Sequence, residues 1–229
     1  MSPPSPPPGL IDEAARYRNS LVACATAGFT VLFLHHHGGR IAGLLPLAPE
    51  WGLVARFLVS GALLVLVPLL TAPLLRNTGA FGLRPGSWKG WLPGVLLLYG
   101  VALGLILLFG RGRPFTETYP LLPAARGSLG VFCLYAAARL FYLFGWEFLF
   151  RGYMLFSLRP ETGGLPAVLV QTVPYAVLHA GKPELEAYAS IPFGFLLGIM
   201  ALRAKSLWPC LVLHGLIAIS MDVLGLVVS

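Results

Sequence analysis

The stretch GSLGVFCLYAAARLFYLFGWEFLFRGYMLFSL, residues 127–158, is apolar and aromatic almost throughout, yet it carries Arg139, Glu147 and Arg151. It is too long for one membrane span of about 20 residues. A charge at the centre of such a span costs about 2.5–3.5 kcal/mol on insertion scales, so these charges need partners. The run reads either as one helix that protrudes from the bilayer or kinks at Gly145, just before the glutamate, or as two short helices. Glu147 and Arg151 are four residues apart, share a helix face and can form an ion pair that lowers the cost of both.

Six further apolar runs flank this one, at about 20–36, 52–75, 91–110, 163–180, 187–203 and 207–228, each near spanning length. The expected fold is an all-α polytopic transmembrane helical bundle of about seven spans, within a range of six to eight. Composition agrees: 57% of residues are hydrophobic and only 11% charged, far from the roughly 25% charged of a soluble domain. Residues 1–19, rich in proline and polar side chains, read as a disordered or interfacial N-terminal tail without the basic start and apolar region of a cleaved signal. Residues 20–229 read as a single transmembrane domain. Pro166, Pro174, Pro192 and Pro209 sit in or near the later spans, where neighbours must satisfy the freed carbonyls. That half should be irregular and packed around something.

The formal charge of +7 is spread singly between apolar runs. It builds no basic face interleaved with exposed aromatics, which excludes nucleic acid as the expected partner and points to the lipid bilayer. Assigning loops alternately places Arg16, Arg18, Arg76, Arg84, Lys89, Arg159, Arg203 and Lys205 on the N-terminal side, against Arg40, Arg111, Arg113, Arg126 and Lys182. Eight against five favours a cytoplasmic N-terminus. Cys24, Cys133 and Cys210 lack CxxC spacing and read as packing residues. His35, His36 and His37 read as an interfacial polar cluster ahead of a metal site or pH switch. Gly194 and Gly198 have the GxxxG spacing that admits a close helix neighbour.

Intramembrane polar groups concentrate in the last four runs: Arg139, Glu147, Arg151, His179, His214 and Asp222, while the first three hold only Arg56. Glu147 with His179 and His214, each on a different run, matches a two-histidine, one-carboxylate metal site. Zn2+ is the ion it would take, with a water at the open position. A metal-free version uses the carboxylate as general base and a histidine to orient the water. The sequence leaves both open, because nothing local fixes geometry between separate helices.

The segments EFLFRGYML, YAVLHAGKPE and LRAKSLWPCLVLHGLIA resemble the CPBP intramembrane protease family, which includes type II CAAX prenyl endopeptidases and bacteriocin-processing or immunity proteins. The resemblance covers a protease core at about 127–222. It implies a helical bundle around a polar cavity and cleavage of peptide bonds near or within the membrane. The family's EExxxR, FxxxH and HxxxN or HxxxD segments place their second glutamate, arginine and two histidines on Glu147, Arg151, His179 and His214. Trp146 stands where the family has the first glutamate, usually assigned to activating the water. Tyr175 replaces the phenylalanine, and Ala218 the final Asn or Asp. Glu184 and Glu186, just beyond His179, and Asp222, two helical turns beyond His214, are secondary candidates to make good these losses.

The expected function is that of an intramembrane endopeptidase in the inner (cytoplasmic) membrane of a bacterium. It would hydrolyse bonds of membrane-associated peptides or proteins with metal- or Glu/His-activated water, Arg151 orienting Glu147. One alternative is a catalytically inactive CPBP-like protein that binds a membrane partner. Another is a small-solute carrier, although the sequence lacks the inverted pair of interrupted helices expected there. Nothing in the sequence selects an oligomeric state.

Overall fold

A computed structural model describes residues 9–45, 47–48, 51–76 and 80–228. The first part of the expected tail, residues 1–8, lies outside them; the rest of it contains a short helix, α1 (Leu10–Arg16). Then follow α2 (Arg18–Ala42), α3 (Gly52–Thr71), α4 (Trp88–Phe109) and the short α5 (Arg113–Thr118). Next come α6 (Leu129–Glu147), a π-helical stretch (Phe148–Met154), α7 (Leu155–Thr162), α8 (Gly164–Val177), α9 (Glu184–Ala204) and α10 (Trp208–Val227). No strand occurs among the described residues.

All seven apolar runs are helical, and five helical segments are long and apolar enough to cross a membrane: Gly52–Leu74, Trp88–Phe109, Leu129–Thr162, Glu184–Ala204 and Trp208–Val227. The chain is an integral membrane protein built as an all-α bundle. The other two runs fall outside that set for separate reasons. Along its length α2 carries Arg18, Asn19, three histidines and Arg40. α8 has only 14 residues.

The long fourth run does not break at Gly145. It continues as one helical rod of 34 residues. Gly145 serves packing instead: a Cβ there would lie 2.6 Å from the Gly61 carbonyl oxygen and 2.9 Å from Leu64 Cβ, so α3 crosses α6 almost backbone to backbone. The irregularity comes three residues later, in the π-helical stretch, whose seven residues are all buried. Such wide turns recur at functional sites because they re-aim side chains without ending the helix.

Contacts sort the loops into two ends. At one end Glu161 accepts from the backbone N–H groups of Asn19 (2.9 Å) and Ser20 (2.8 Å), and Asn19 bonds the backbone of Arg76 in both directions. Trp208 Nε1 there donates to the Leu83 carbonyl at 2.7 Å. At the other end Tyr119 bonds Glu186 and Arg126 donates to the Tyr119 carbonyl at 2.9 Å. Each set of contacts joins loops that the charge argument assigns to one side.

Fourteen helical residues rise about 21 Å, less than a hydrocarbon core of about 30 Å, so α8 is too short to cross one by itself. Residues of the turn that follows, 178–183, line the cavities described below. α9 packs closely on α8 through the predicted glycine pair: a Cβ on Gly194 would meet Tyr175 Cδ1 at 2.7 Å, and one on Gly198 would meet Gln171 Nε2 at 2.8 Å. The lipid-facing wall is α4, with only Val95, Ala102 and Ile106 buried. The three cysteines are free.

Candidate active site

Glu147 closes α6 and Arg151 lies one turn on, within the π-helical stretch; neither side chain has any exposed surface. Arg151 Nη1 donates to Glu147 Oε1 at 3.3 Å, and the guanidinium carbon sits 4.0 Å from the centroid of the Tyr175 ring, in cation–π contact. From α10, His214 brings Nδ1 to 2.7 Å of the same carboxylate oxygen. A carboxylate only accepts, so Nδ1 carries the hydrogen and the neutral ring keeps its lone pair on Nε2.

His179 is set by the same logic. Its Nδ1 lies 2.8 Å from the Tyr175 carbonyl oxygen, another obligate acceptor, which again leaves the lone pair on Nε2. The ring packs on Tyr175 with centroids 4.5 Å apart and meets Trp146 edge-on at 6.3 Å. Two imidazoles on different elements are thus held in one tautomer each, both basic at the nitrogen that faces away from its anchor.

A cavity of about 720 Å³ lies among α4, α5, α9 and α10, and one of about 300 Å³ among α2, α3 and α6. The two meet at a shared wall formed by Arg139, His179, Lys182, Glu186 and His214. Glu184 lines the larger cavity, Glu186 both, and Trp146 the smaller one. Glu147 and Arg151 line neither. Glu147 meets His214, which lines both.

Asp222 does not stand in for a polar residue at 218. Eight helical residues turn the chain about 80° beyond two full turns, which points Asp222 away from the His214 face and toward α6. There it pairs with Arg139 Nη1 and accepts from the Tyr135 hydroxyl at 3.0 Å. Arg139 also donates to the Ala218 carbonyl at 3.3 Å, so position 218 contributes only backbone.

At the cavity mouth Tyr119 donates to Glu186 at 2.5 Å, with Lys182 Nζ 4.0 Å from the other carboxylate oxygen. Burial, together with the Glu186 charge, pushes the Tyr119 phenol above its ordinary range. Burial draws the Lys182 ammonium down, against the pull of Glu186. Sequence reasoning missed Tyr119 and Lys182 as site residues, and missed the partner of Arg139. The available signal was two intramembrane charges of opposite sign, Arg139 and Asp222, each in need of a partner.

Among the described residues no three His, Cys, Asp or Glu side chains converge as a metal-holding group. Glu147 shares Oε1 between Arg151 and His214, which makes it the support of a histidine. The trio Glu147, His179 and His214 is not gathered into such a group, and no step below passes through a metal.

Residues 128–220 match the Rce1-like family, described as type II CAAX prenyl endopeptidase Rce1-like, which supports membership of the CPBP family. No curated protein and no solved structure matches the chain.

Proposed function

We propose that the chain is an intramembrane endopeptidase that hydrolyses a peptide bond of a membrane-associated peptide or protein, with His214 as general base and Glu147 as the residue that positions it. The observation that carries this reading is the 2.7 Å contact between Glu147 and His214, backed by the fully buried Arg151 and standing at the wall of a cavity. A water at that wall gives its proton to His214 Nε2 while its oxygen bonds the scissile carbonyl carbon. The imidazolium forms against the Glu147 carboxylate, which stabilises it. The C–N bond then breaks as the proton passes from His214 to the leaving nitrogen. His179, its Nδ1 committed to the Tyr175 carbonyl, offers Nε2 as a second acceptor for the same water.

The larger cavity falls in the usual range of about 300–1,000 Å³ for ligand sites, and the smaller one leaves room for chain beyond the scissile bond. Trp146 takes the place of the family's first glutamate and packs beside His179, so the duty of base falls to the His214–Glu147 pair. The same tryptophan favours one rival: an inactive family member that binds a membrane partner.

Protein reconstituted in lipid discs and offered a library of membrane-derived peptides separates the two. Cleavage by the wild type that disappears in His214→Ala supports the enzyme. No cleavage by the wild type, with cleavage gained in Trp146→Glu, establishes the inactive reading.

A further inference from the structure

We propose that Lys182 supplies the positive charge that stabilises the oxyanion formed at the scissile carbonyl. This rests on the endopeptidase reading and names a catalytic residue for it. His179 and Lys182 lie on one turn between α8 and α9, closed by a backbone bond from Lys182 N–H to the His179 carbonyl at 3.1 Å. Gly181 sits between them at φ 88°, a left-handed conformation that glycine adopts without strain. The turn therefore delivers an imidazole and an ammonium to the same wall.

Water attack turns a neutral carbonyl oxygen into an anion inside a mostly apolar enclosure, where a nearby cation or donor has its greatest effect. Two of the five residues shared by both cavities are cations, Arg139 and Lys182. Arg139 is held by Asp222, Tyr135 and the Ala218 carbonyl. Arg151 has no exposed surface and lines neither cavity. Lys182 differs from both: its side chain is 33% exposed, and its ion partner Glu186 is 4.0 Å away and already accepts from Tyr119 at 2.5 Å. A partly exposed i,i+4 pair holds a lysine weakly. The four-carbon stem can swing the ammonium from Glu186 to the reacting carbonyl and back, its charge unchanged through the cycle. Its pKa, drawn down by burial, makes it a stronger hydrogen-bond donor than a solvated lysine.

The test measures kcat and KM on a peptide that the wild type cleaves, together with binding of two inhibitors of that sequence. One is a phosphinate, an anionic mimic of the tetrahedral intermediate; the other is an uncharged hydroxyethylene isostere. Lys182→Gln should lower kcat about 10²–10³-fold with KM little changed. Phosphinate affinity should fall in parallel while hydroxyethylene affinity is kept, which also reports an intact fold. Lys182→Met, which keeps the apolar stem, should behave as Lys182→Gln, and Lys182→Arg should recover most of both losses. Wild-type kcat in Lys182→Gln, or an equal loss of both inhibitors in it and in Lys182→Met, overturns the assignment and leaves Lys182 a structural residue. A wild type that cleaves nothing and binds neither inhibitor overturns the endopeptidase reading itself, and this one with it.

Discussion

Among the described residues the bundle buries two carboxylate–arginine pairs, and they are built to different standards. Asp222 is satisfied on both oxygens, by Arg139 and by Tyr135, and Arg139 has further partners in Tyr135 and a backbone carbonyl. In the Glu147–Arg151 pair, Glu147 Oε2 and Arg151 Nε and Nη2 are buried without a hydrogen-bond partner. A network in which both carboxylate oxygens are paired ties helices together, here α6 to α10. An under-paired one keeps unspent capacity at a cost in stability, and such exceptions call for an explanation beyond folding. The first pair holds the bundle; the second holds His214.

That contrast can be broken by isosteric changes. Glu147→Gln keeps shape but cannot stabilise the imidazolium, so kcat of the folded fraction should fall about 10³–10⁴-fold. Both this variant and Asp222→Asn leave a buried arginine charge uncompensated, at about 3–5 kcal/mol, seen as a lower thermal midpoint and poorer folded yield. In Asp222→Asn, however, the folded fraction should cleave at a rate close to wild type. If folded Asp222→Asn loses cleavage, or folded Glu147→Gln keeps it, the roles assigned to the pairs are wrong.

A smaller effect is expected at Gly194, where an added methyl would press on the Tyr175 ring that covers Arg151 and whose backbone anchors His179. Gly194→Ala should cost about 1–3 kcal/mol of stability and disturb cleavage as well, because one shift reaches both parts of the site. The smallest effect is on the pH profile. Burial and Arg139 lower the Lys182 pKa from its ordinary 10.5, with Glu186 and Asp222 opposing. Activity that needs the ammonium is lost as pH rises through that lowered value. The alkaline limb of kcat/KM should therefore fall below the ordinary lysine range, and Lys182→Arg should move it upward.

The helices were legible because each is set by a local apolar pattern, and the Glu147–Arg151 pair because four residues span one helical turn. The meeting of Glu147 with His214 follows from the need of intramembrane polar groups for partners. Its consequence, a carboxylate hidden behind the imidazole, does not follow, since it depends on how α10 seats against a π-helical stretch that no residue pattern announces. Asp222 was placed by counting turns, and the 80° remainder sent it to another partner. Tyr119 and Glu186 are 67 positions apart. Nothing short of the assembled bundle could have joined them.

The short α8 makes reach a selector. Its 14 residues rise about 21 Å, less than the roughly 30 Å of a hydrocarbon layer, so the helix that carries the histidine turn is too short to cross one by itself. On the endopeptidase reading, side chains then decide less than position: the bond to be hydrolysed is the one that can be drawn to the wall where His179 and His214 stand.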